Sequence, residues 1–168
     1  MTALVRLAET KDILGILEIY NYEILNTTNT FDLVPKTYEQ QLIWLRERSG
    51  VYPVLVADDS DKGFNNEILG FAALSPYRHR PAYSTTVENS IYVNRNHRRM
   101  GIGTLLINNL ITRAKEHGFH SIIARITSEN EQSLKLHENT GFNRVGCEVE
   151  IGRKFGKWID VISYQKLL

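Results

Sequence analysis

A chain of 168 residues with 42% hydrophobic and 23% charged residues has the size of one domain around one core and an ordinary globular composition. Its 20 Lys and Arg against 19 Asp and Glu leave a net charge of +1, which gives no electrostatic footprint for nucleic acid or an anionic membrane as partner. The single cysteine, Cys147, excludes an internal disulfide. No apolar run approaches the length of a membrane span and MTALVRLAET is too short and mixed for a signal peptide, so a soluble cytoplasmic protein is expected.

The predicted elements follow in chain order. Residues 3–7 read as a short strand. Ile13, Ile16, Leu17, Tyr20 and Ile24 recur at helical spacing and predict a helix over 11–26. Residues 26–34, NTTNTFDLV, form a polar loop with one aromatic, Phe31. Thr37 with Gln40 three residues on is a capping box that opens a second helix, ending near Gly50. The β-branched run 51–57 is a strand, DDSDKGFNN (58–66) a turn, and 68–74 another strand. SPYRHRPA (75–82) is an irregular loop with two prolines and two arginines. Residues 83–93 are extended, with Val87, Ile91 and Val93 on one face and Glu88, Ser90 and Tyr92 on the other. A helix then runs to His117 and stops at Gly118. A strand over 122–126, a short helix over 130–140 stopped by Gly141, and strands over 145–151 and 158–164 around an FGK turn complete the chain. Without repeat, linker or low-complexity tract, this is one mixed α/β domain over 1–168, of about seven strands and four helices with a largely antiparallel sheet.

One stretch carries chemistry. In NHRRMGIGTLL (96–106), two arginines and two glycines stand between a strand and a helix. A helix N-terminus leaves backbone N–H groups without partners and carries the positive end of the helix dipole. Glycines remove the side chains that would keep a ligand's oxygens away, and Arg98 and Arg99 would add charge-assisted hydrogen bonds. An isolated glycine pair is more simply a tight turn. The flanking strand, the helix and the arginines favour a pyrophosphate. A dinucleotide fingerprint needs glycine where Leu106 stands and an acidic residue at the end of the next strand, which 122–127 lacks. A P-loop needs Gly-Lys-Ser/Thr, and Gly103 is followed by Thr104.

Arg98-x-x-Gly101-x-Gly103 between strand and helix, then a strand, then Asn130-x-x-Ser133-x-x-x-His137-x-x-x-Gly141-Phe142, resembles the GNAT acetyltransferase superfamily. Within it, VENSIYV, SLKLHENTGF and GRKFGKWIDV are similar to the phosphinothricin and methionine sulfoximine N-acetyltransferases. The resemblance implies a GNAT-like sheet whose splayed central strands bind acetyl-CoA as co-substrate, without a metal. The backbone of Ile91, Tyr92 and Val93 would pair with the pantetheine arm. Arg98 and the N–H groups of Arg99, Met100, Gly101, Ile102, Gly103 and Thr104 would hold the pyrophosphate. Asn130 and Ser133, at the opening of the later helix, would contact the cofactor.

Glu88 matches the family's catalytic glutamate in VE-x-S. In isolation it would be a solvated glutamate on an edge strand; at this position a carboxylate with a pKa raised by burial takes the amine's proton. His137 stands where many superfamily members have tyrosine and where the phosphinothricin branch has histidine. It would protonate the leaving thiolate or join a base network with Glu88, or else only pack and hydrogen-bond. His79, His97, His117 and His120 show no metal-ligand pattern. Arg78 and Arg80 sit where a carboxylate clamp would serve, and Phe31 and Tyr83 could wall the pocket. By the resemblance, Arg78 with Pro81, Ala82 and Tyr83 falls in the acceptor site. Lys154, Phe155 and Trp158 of the last hairpin would shape that pocket and a homodimer. The implied reaction acetylates the α-amino group of a small amino-acid analogue (phosphinothricin, methionine sulfoximine or methionine sulfone), a detoxification of the kind that gives herbicide resistance. The rival readings are a different acceptor (a polyamine, an aminoglycoside or a protein N-terminus) and an acyl-CoA sensor without catalysis. The balanced charge and the arginines of 75–82 speak against a polyamine.

Overall fold

The computed structural model describes residues 3–48, 50–59 and 67–168. β1 (Ala3–Leu7) leads into α1 (Ile13–Asn26) through a 3-10 turn over Thr10–Asp12. α1 starts two residues later than its periodicity predicts because the Asp12 carboxylate accepts from the Glu9 N–H and from Arg6, which holds the turn apart from the helix. At the head of α2 (Tyr38–Glu47), Thr37 and Gln40 exchange side-chain to backbone hydrogen bonds in both directions, as the capping box requires. β2 (Val54–Asp59) begins only after Pro53, which has no N–H for a ladder, and takes in Asp58 and Asp59. The rest of the 58–66 turn lies outside the described residues.

β3 (Ile68–Pro76) runs two residues past its expected end. Pro81–Tyr83 folds into a second 3-10 turn, so β4 (Thr86–Val93) starts three residues later than expected. α3 (Ile102–Glu116) and α4 (Glu131–Asn139) are both followed by a glycine in the left-handed region, Gly118 at φ 75° and Gly141 at φ 83°. Between them lies β5 (Ser121–Thr127). β6 (Asn143–Lys154) and β7 (Lys157–Leu167) form a hairpin whose two turn residues, Phe155 and Gly156, both have positive φ.

Among the described residues the seven strands form one sheet in the order β1-β2-β3-β4-β5-β7-β6, with four α-helices. Every neighbouring pair is antiparallel except β4–β5, the pair that α3 connects. That pair is short. Residues 86–88 of β4 match 121–123 of β5, and beyond them the pairing stops. β4 stays paired with β3 up to Val93, and β5 with β7 up to Thr127. The sheet is therefore forked at its centre. α3 lays Leu106, Ile107, Leu110 and Ala114 on the face that carries Leu55, Leu69, Ala72 and Val87. α1 covers the other face with Ile16 and Ile19 over Val56, Ile68 and Phe71, flanked by Trp44 of α2. Each large side chain so buried contributes about 1.5–3 kcal/mol; the β2–β4 arm is held on both faces, while the β5–β7 arm joins the α3 cluster through Ile122, Ala124, Ile126 and Ile162.

Candidate active site

Where β4 and β5 part, a cleft of about 900 Å³ opens, a size within the roughly 300–1,000 Å³ of small-molecule sites. Hydrogen bonds on either side of β4 fix which peptide groups face it. Thr86 accepts from Tyr77 and Asn94 donates to Leu69, both on the β3 side, while Thr85 accepts from His120 and Ser121 on the β5 side. Peptide groups alternate along a strand. Asn89, Ile91 and Val93 therefore turn their N–H and C=O toward the gap, where no strand meets them. Tyr92 lines the cleft, but its peptide groups face Phe71 of β3. Of the three residues expected to form a backbone ladder, Ile91 and Val93 offer one and Tyr92 does not.

The glycine loop sits at the mouth of the fork. Gly101 is the N-cap of α3 at φ 82°, with no side chain to satisfy the first turn, and Arg99 is also left-handed at φ 62°. The N–H groups of Ile102, Gly103 and Thr104 lie in that first turn, where no intrahelical carbonyl reaches them. A Cβ on Gly103 would stand 3.2 Å from Leu136 and 3.7 Å from Val93, so glycine lets α4 and β4 approach the tip of α3. Arg99 is exposed, lines the cleft and makes no ion pair among the described residues. Met100 is 53% exposed and lies outside the lining.

Arg98 lines the cleft and is also paired within the fold. Its Nη2 donates to Oε1 of Glu23 at 2.5 Å. Glu23 is buried near the end of α1, and its other oxygen accepts from Thr27 Oγ1 and Asn29 Nδ2. This pair with a buried carboxylate ties the loop to α1.

Glu88 and His137 flank the fork from opposite faces. Glu88 shares its face with Tyr92, which packs against the α1 layer. Burial raises its carboxyl above the ordinary value, the Arg125 guanidinium draws it back down, and Glu148 pushes it up. His137 reaches the other face from α4. Its Nδ1 lies 2.8 Å from the Ser133 carbonyl and its Nε2 3.0 Å from Nδ2 of Asn89. A carbonyl only accepts and an amide NH₂ only donates, so Nδ1 carries the proton and Nε2 accepts. Burial lowers the ring's pKa, which keeps it neutral. Both nitrogens are satisfied, and neither is a ready proton donor. Asn130 caps α4 by accepting from the Ser133 N–H, which leaves its NH₂ for the cleft. Two buried oxygens of the lining, Asn89 Oδ1 and Thr127 Oγ1, have no hydrogen-bond partner among the described residues.

The expected acceptor residues divide. Phe31 lines the cleft, and its ring occupies the space that a Cβ on Gly152 would need, at 2.3 Å. Lys154 is buried and donates to the Thr30 carbonyl at 2.8 Å, tying the loop after α1 to β6. Burial lowers its pKa, while Asp32 and Glu23 hold it up. Arg78 lies over the rings of Tyr77 and Tyr83 at 5.0 and 5.8 Å. Arg80, Pro81 and Ala82 are exposed, and Trp158 is exposed beside Arg153. None of Arg78, Arg80, Pro81, Ala82, Tyr83, Lys154 or Trp158 lines the cleft of the single chain. Among the lining residues that went unread in the sequence are Glu23, Asn89 and Arg125. Two had a signal. Glu23 falls on the apolar stripe of α1, seven residues after Ile16, and Arg125 interrupts the apolar strand SIIARIT. Among the described residues no group of His, Cys, Asp and Glu could hold a metal, and no helix is long and apolar enough to cross a membrane.

A strand edge open to an extended arm, beside a helix start open to phosphate, defines a class of enzymes that take a group from a long phosphate-bearing carrier. Residues 17–142 match the model of the Acetyltransferase (GNAT) family, and the chain belongs to that family. It is 39% identical over 160 residues to phosphinothricin N-acetyltransferase of Streptomyces coelicolor, covering 94% of this chain and 92% of the relative. It is 38% identical over 167 residues to L-methionine sulfoximine/L-methionine sulfone acetyltransferase of Pseudomonas aeruginosa, covering 98% and 94%. Its fold matches that of a GNAT superfamily phosphinothricin acetyltransferase from Sinorhizobium meliloti in complex with AcCoA, with a TM-score of 0.93, 34% identity and coverage of 100% and 89%.

Proposed function

We propose that the protein transfers acetyl from acetyl-CoA to the α-amino group of a small amino-acid analogue: phosphinothricin, methionine sulfoximine or methionine sulfone. The observation that carries this reading is the fork, with open backbone groups at Ile91, Val93 and the start of α3, and with the Glu88 carboxyl on the face beside α1. The names of the two relatives supply the acceptor class.

The residues present fit acetyl-CoA. Ile91 and Val93 hydrogen-bond an extended arm, the N–H groups of Ile102, Gly103 and Thr104 with Arg99 meet the pyrophosphate, and Asn130 and Ser133 serve the opposite edge. The unpartnered oxygens of Asn89 and Thr127 suit a ligand with amide donors. When bound, acetyl-CoA supplies a thioester whose carbon–sulfur bond breaks as the carbon–nitrogen bond to the amine forms; of the two protons the ammonium loses, one goes to Glu88 and the other ends on the departing sulfur, leaving CoA as its thiol. The Val93 N–H is a fixed donor for negative charge on the acyl oxygen. Glu88 takes the proton that the amine gives up, and its raised pKa brings it nearer the working pH of a general base. His137, neutral and doubly hydrogen-bonded, acts in this reading as a positioning residue that holds Asn89 and α4.

The turn at Pro81–Tyr83 and the hairpin residues Lys154, Phe155 and Trp158 belong to the outer wall of the acceptor site or to a homodimer. Exposed apolar residues of the β6–β7 hairpin, including Val149, Ile151, Phe155 and Trp158, support the dimer, and sedimentation at about twice 19.3 kDa would test it. Acetylation removes the acceptor's ammonium charge, which suits detoxification and herbicide resistance, and the need for acetyl-CoA suits the cytoplasm. The deciding experiment measures release of CoA thiol with phosphinothricin, methionine sulfoximine, methionine sulfone, spermidine and a peptide N-terminus in parallel. Saturable turnover is expected with the first three. Turnover on spermidine or the peptide alone would overturn the acceptor, and no release with any of them would overturn the reaction.

A further inference from the structure

The acceptor face of the fork carries one cation that the sequence motifs do not include. In β5, six of the seven residues are buried and Arg125 alone is exposed. It lies two residues beyond Ile123, the last partner of Glu88, so it stands past the point where the strands part and on the face that Glu88 uses. Two residues along one strand and one strand across separate the two Cα atoms by roughly 8 Å. That is close enough for a guanidinium and a carboxylate to hold the two ends of one small zwitterion. Glu88 and Arg125 feel each other's charge, and both line the cleft.

The guanidinium has five donors, and among the described residues one of them is used, from Nη2 to Glu148 Oε2 at 2.5 Å. Glu148 reaches it from β6, across β7. Both partners are more than a third exposed, at 38% and 42%, and exposed ion pairs hold weakly. A second carboxylate can replace the first at little cost. By contrast Arg78, the arginine expected from the loop motif, stacks on two tyrosines outside the lining.

We propose that Arg125 binds the α-carboxylate of the amino-acid acceptor, releasing Glu148 as it does so. The proposal rests on the amino-acid reading above and names the residue that enforces it. Glu88 receives the acceptor's ammonium and Arg125 its carboxylate, so a zwitterion satisfies both charges. The same amine without its carboxylate leaves Arg125 paired to Glu148 and gains nothing there. Arg125 is thereby a specificity-determining residue, with Glu148 as the internal competitor that occupies it when no acceptor is bound.

The test compares methionine sulfone with its decarboxylated counterpart, 3-(methylsulfonyl)propan-1-amine, in the wild type, Arg125→Gln, Arg125→Lys and Glu148→Gln. KM is measured by CoA thiol release, and Kd by calorimetry on the CoA-bound enzyme. Arg125→Gln should raise KM and Kd for methionine sulfone by roughly 10- to 100-fold, the worth of a lost charge-assisted contact. The values for the decarboxylated amine and for acetyl-CoA should stay within about twofold. Arg125→Lys, with charge but no fork, should fall between. Glu148→Gln should leave methionine sulfone binding unchanged or tighter. A merely structural ion pair would instead give Arg125→Gln and Glu148→Gln the same loss on both acceptors, and that result overturns the proposal, as does unchanged discrimination in Arg125→Gln. A wild type that turns over only the decarboxylated amine, or neither compound, overturns the amino-acid reading and this inference with it. A wild type active on methionine sulfone with an indifferent Arg125→Gln overturns the inference alone.

Discussion

The two sides of the fork are built by different means. The side toward α3 and α4 is nearly one run of chain: β4, the glycine loop and α3 follow one another, and α4 joins after a single strand. Its working parts are mostly backbone, the N–H groups at Ile91, Val93 and the first turn of α3. The side toward α1 and α2 is gathered from distant segments, Phe31, Glu88 and Arg125 with Glu148 beside it, and it works through side chains. Backbone groups are held by the ladder and the helix whatever the side chains are. A carboxylate or guanidinium is one atom group on one residue. Substitutions on the first side should therefore act through geometry, and those on the second through charge.

The largest expected effect tests the second half of that contrast. Glu88→Gln keeps the shape and removes the base, and kcat should fall by about 10²- to 10⁴-fold. Its melting temperature should hold or rise, because burial already disfavours the charged form. The same carboxyl sets the acid limb of kcat/KM: activity needs the carboxylate, so it is lost as pH falls through the raised pKa. Arg125→Gln removes the charge that draws that pKa down and should move the limb to higher pH. Near-normal turnover in a folded Glu88→Gln would take Glu88 out of the chemistry and break the contrast. Next in size is Arg98→Met. It leaves Glu23 buried without its cation, and the unfolding free energy in urea should drop by about 3 kcal/mol. KM for acetyl-CoA should change by less than about tenfold, since phosphate is held by N–H groups in this account. A large rise in KM without loss of stability would return Arg98 to the phosphate site.

The same division explains what could be read from the sequence. Thr37 with Gln40, Gly101-x-Gly103 and the stops at Gly118 and Gly141 are local signals, and the structure uses each within a few residues of where it stands. Seven strands in a mostly antiparallel sheet followed from strands adjacent in the chain. Strand starts were less legible, because Pro53 and the Pro81 turn trim β2 and β4 from the front. The facing of Tyr92 was hidden because its partner, Phe71, is set by register. The pairing of Arg98 was hidden because its partner, Glu23, is 75 residues away in sequence. Arg125 has Glu88 and Glu148 as charge partners on two other strands, and no spacing along the chain announces that meeting. What depends on one segment was written in that segment; what depends on three strands meeting was not.

A smaller effect probes the backbone side. Gly101 is at φ 82°, and nothing lies within 4 Å of the place a Cβ would take. Gly101→Ala therefore meets no obstacle, only the strain of a left-handed L-residue, about 1–2 kcal/mol. The melting temperature should fall accordingly, and KM for acetyl-CoA should rise a few-fold as the loop relaxes. Unchanged stability with a large rise in KM would mean that the added methyl blocks the ligand itself.

The smallest effect concerns His137, which joins α4 to β4 through Asn89. Its folded pKa is depressed by burial below the ordinary histidine value of about 6.5. The unfolded chain then binds a proton that the buried ring refuses, so this contribution to stability is present above the ordinary value and is lost as pH falls below it. The slope is at most about 1.4 kcal/mol per pH unit, the limit for one proton. His137→Gln should flatten it, because a glutamine amide can donate to the Ser133 carbonyl and accept from Asn89 without titrating. Urea midpoints of wild type and variant, taken between about pH 7.5 and pH 5.5 on either side of the ordinary value, measure the difference. Parallel lines would mean that His137 accepts its second proton inside the fold. A charged ring there would have a proton to give, and the α4 side of the fork would then hold a donor for the departing thiolate as well as a backbone frame.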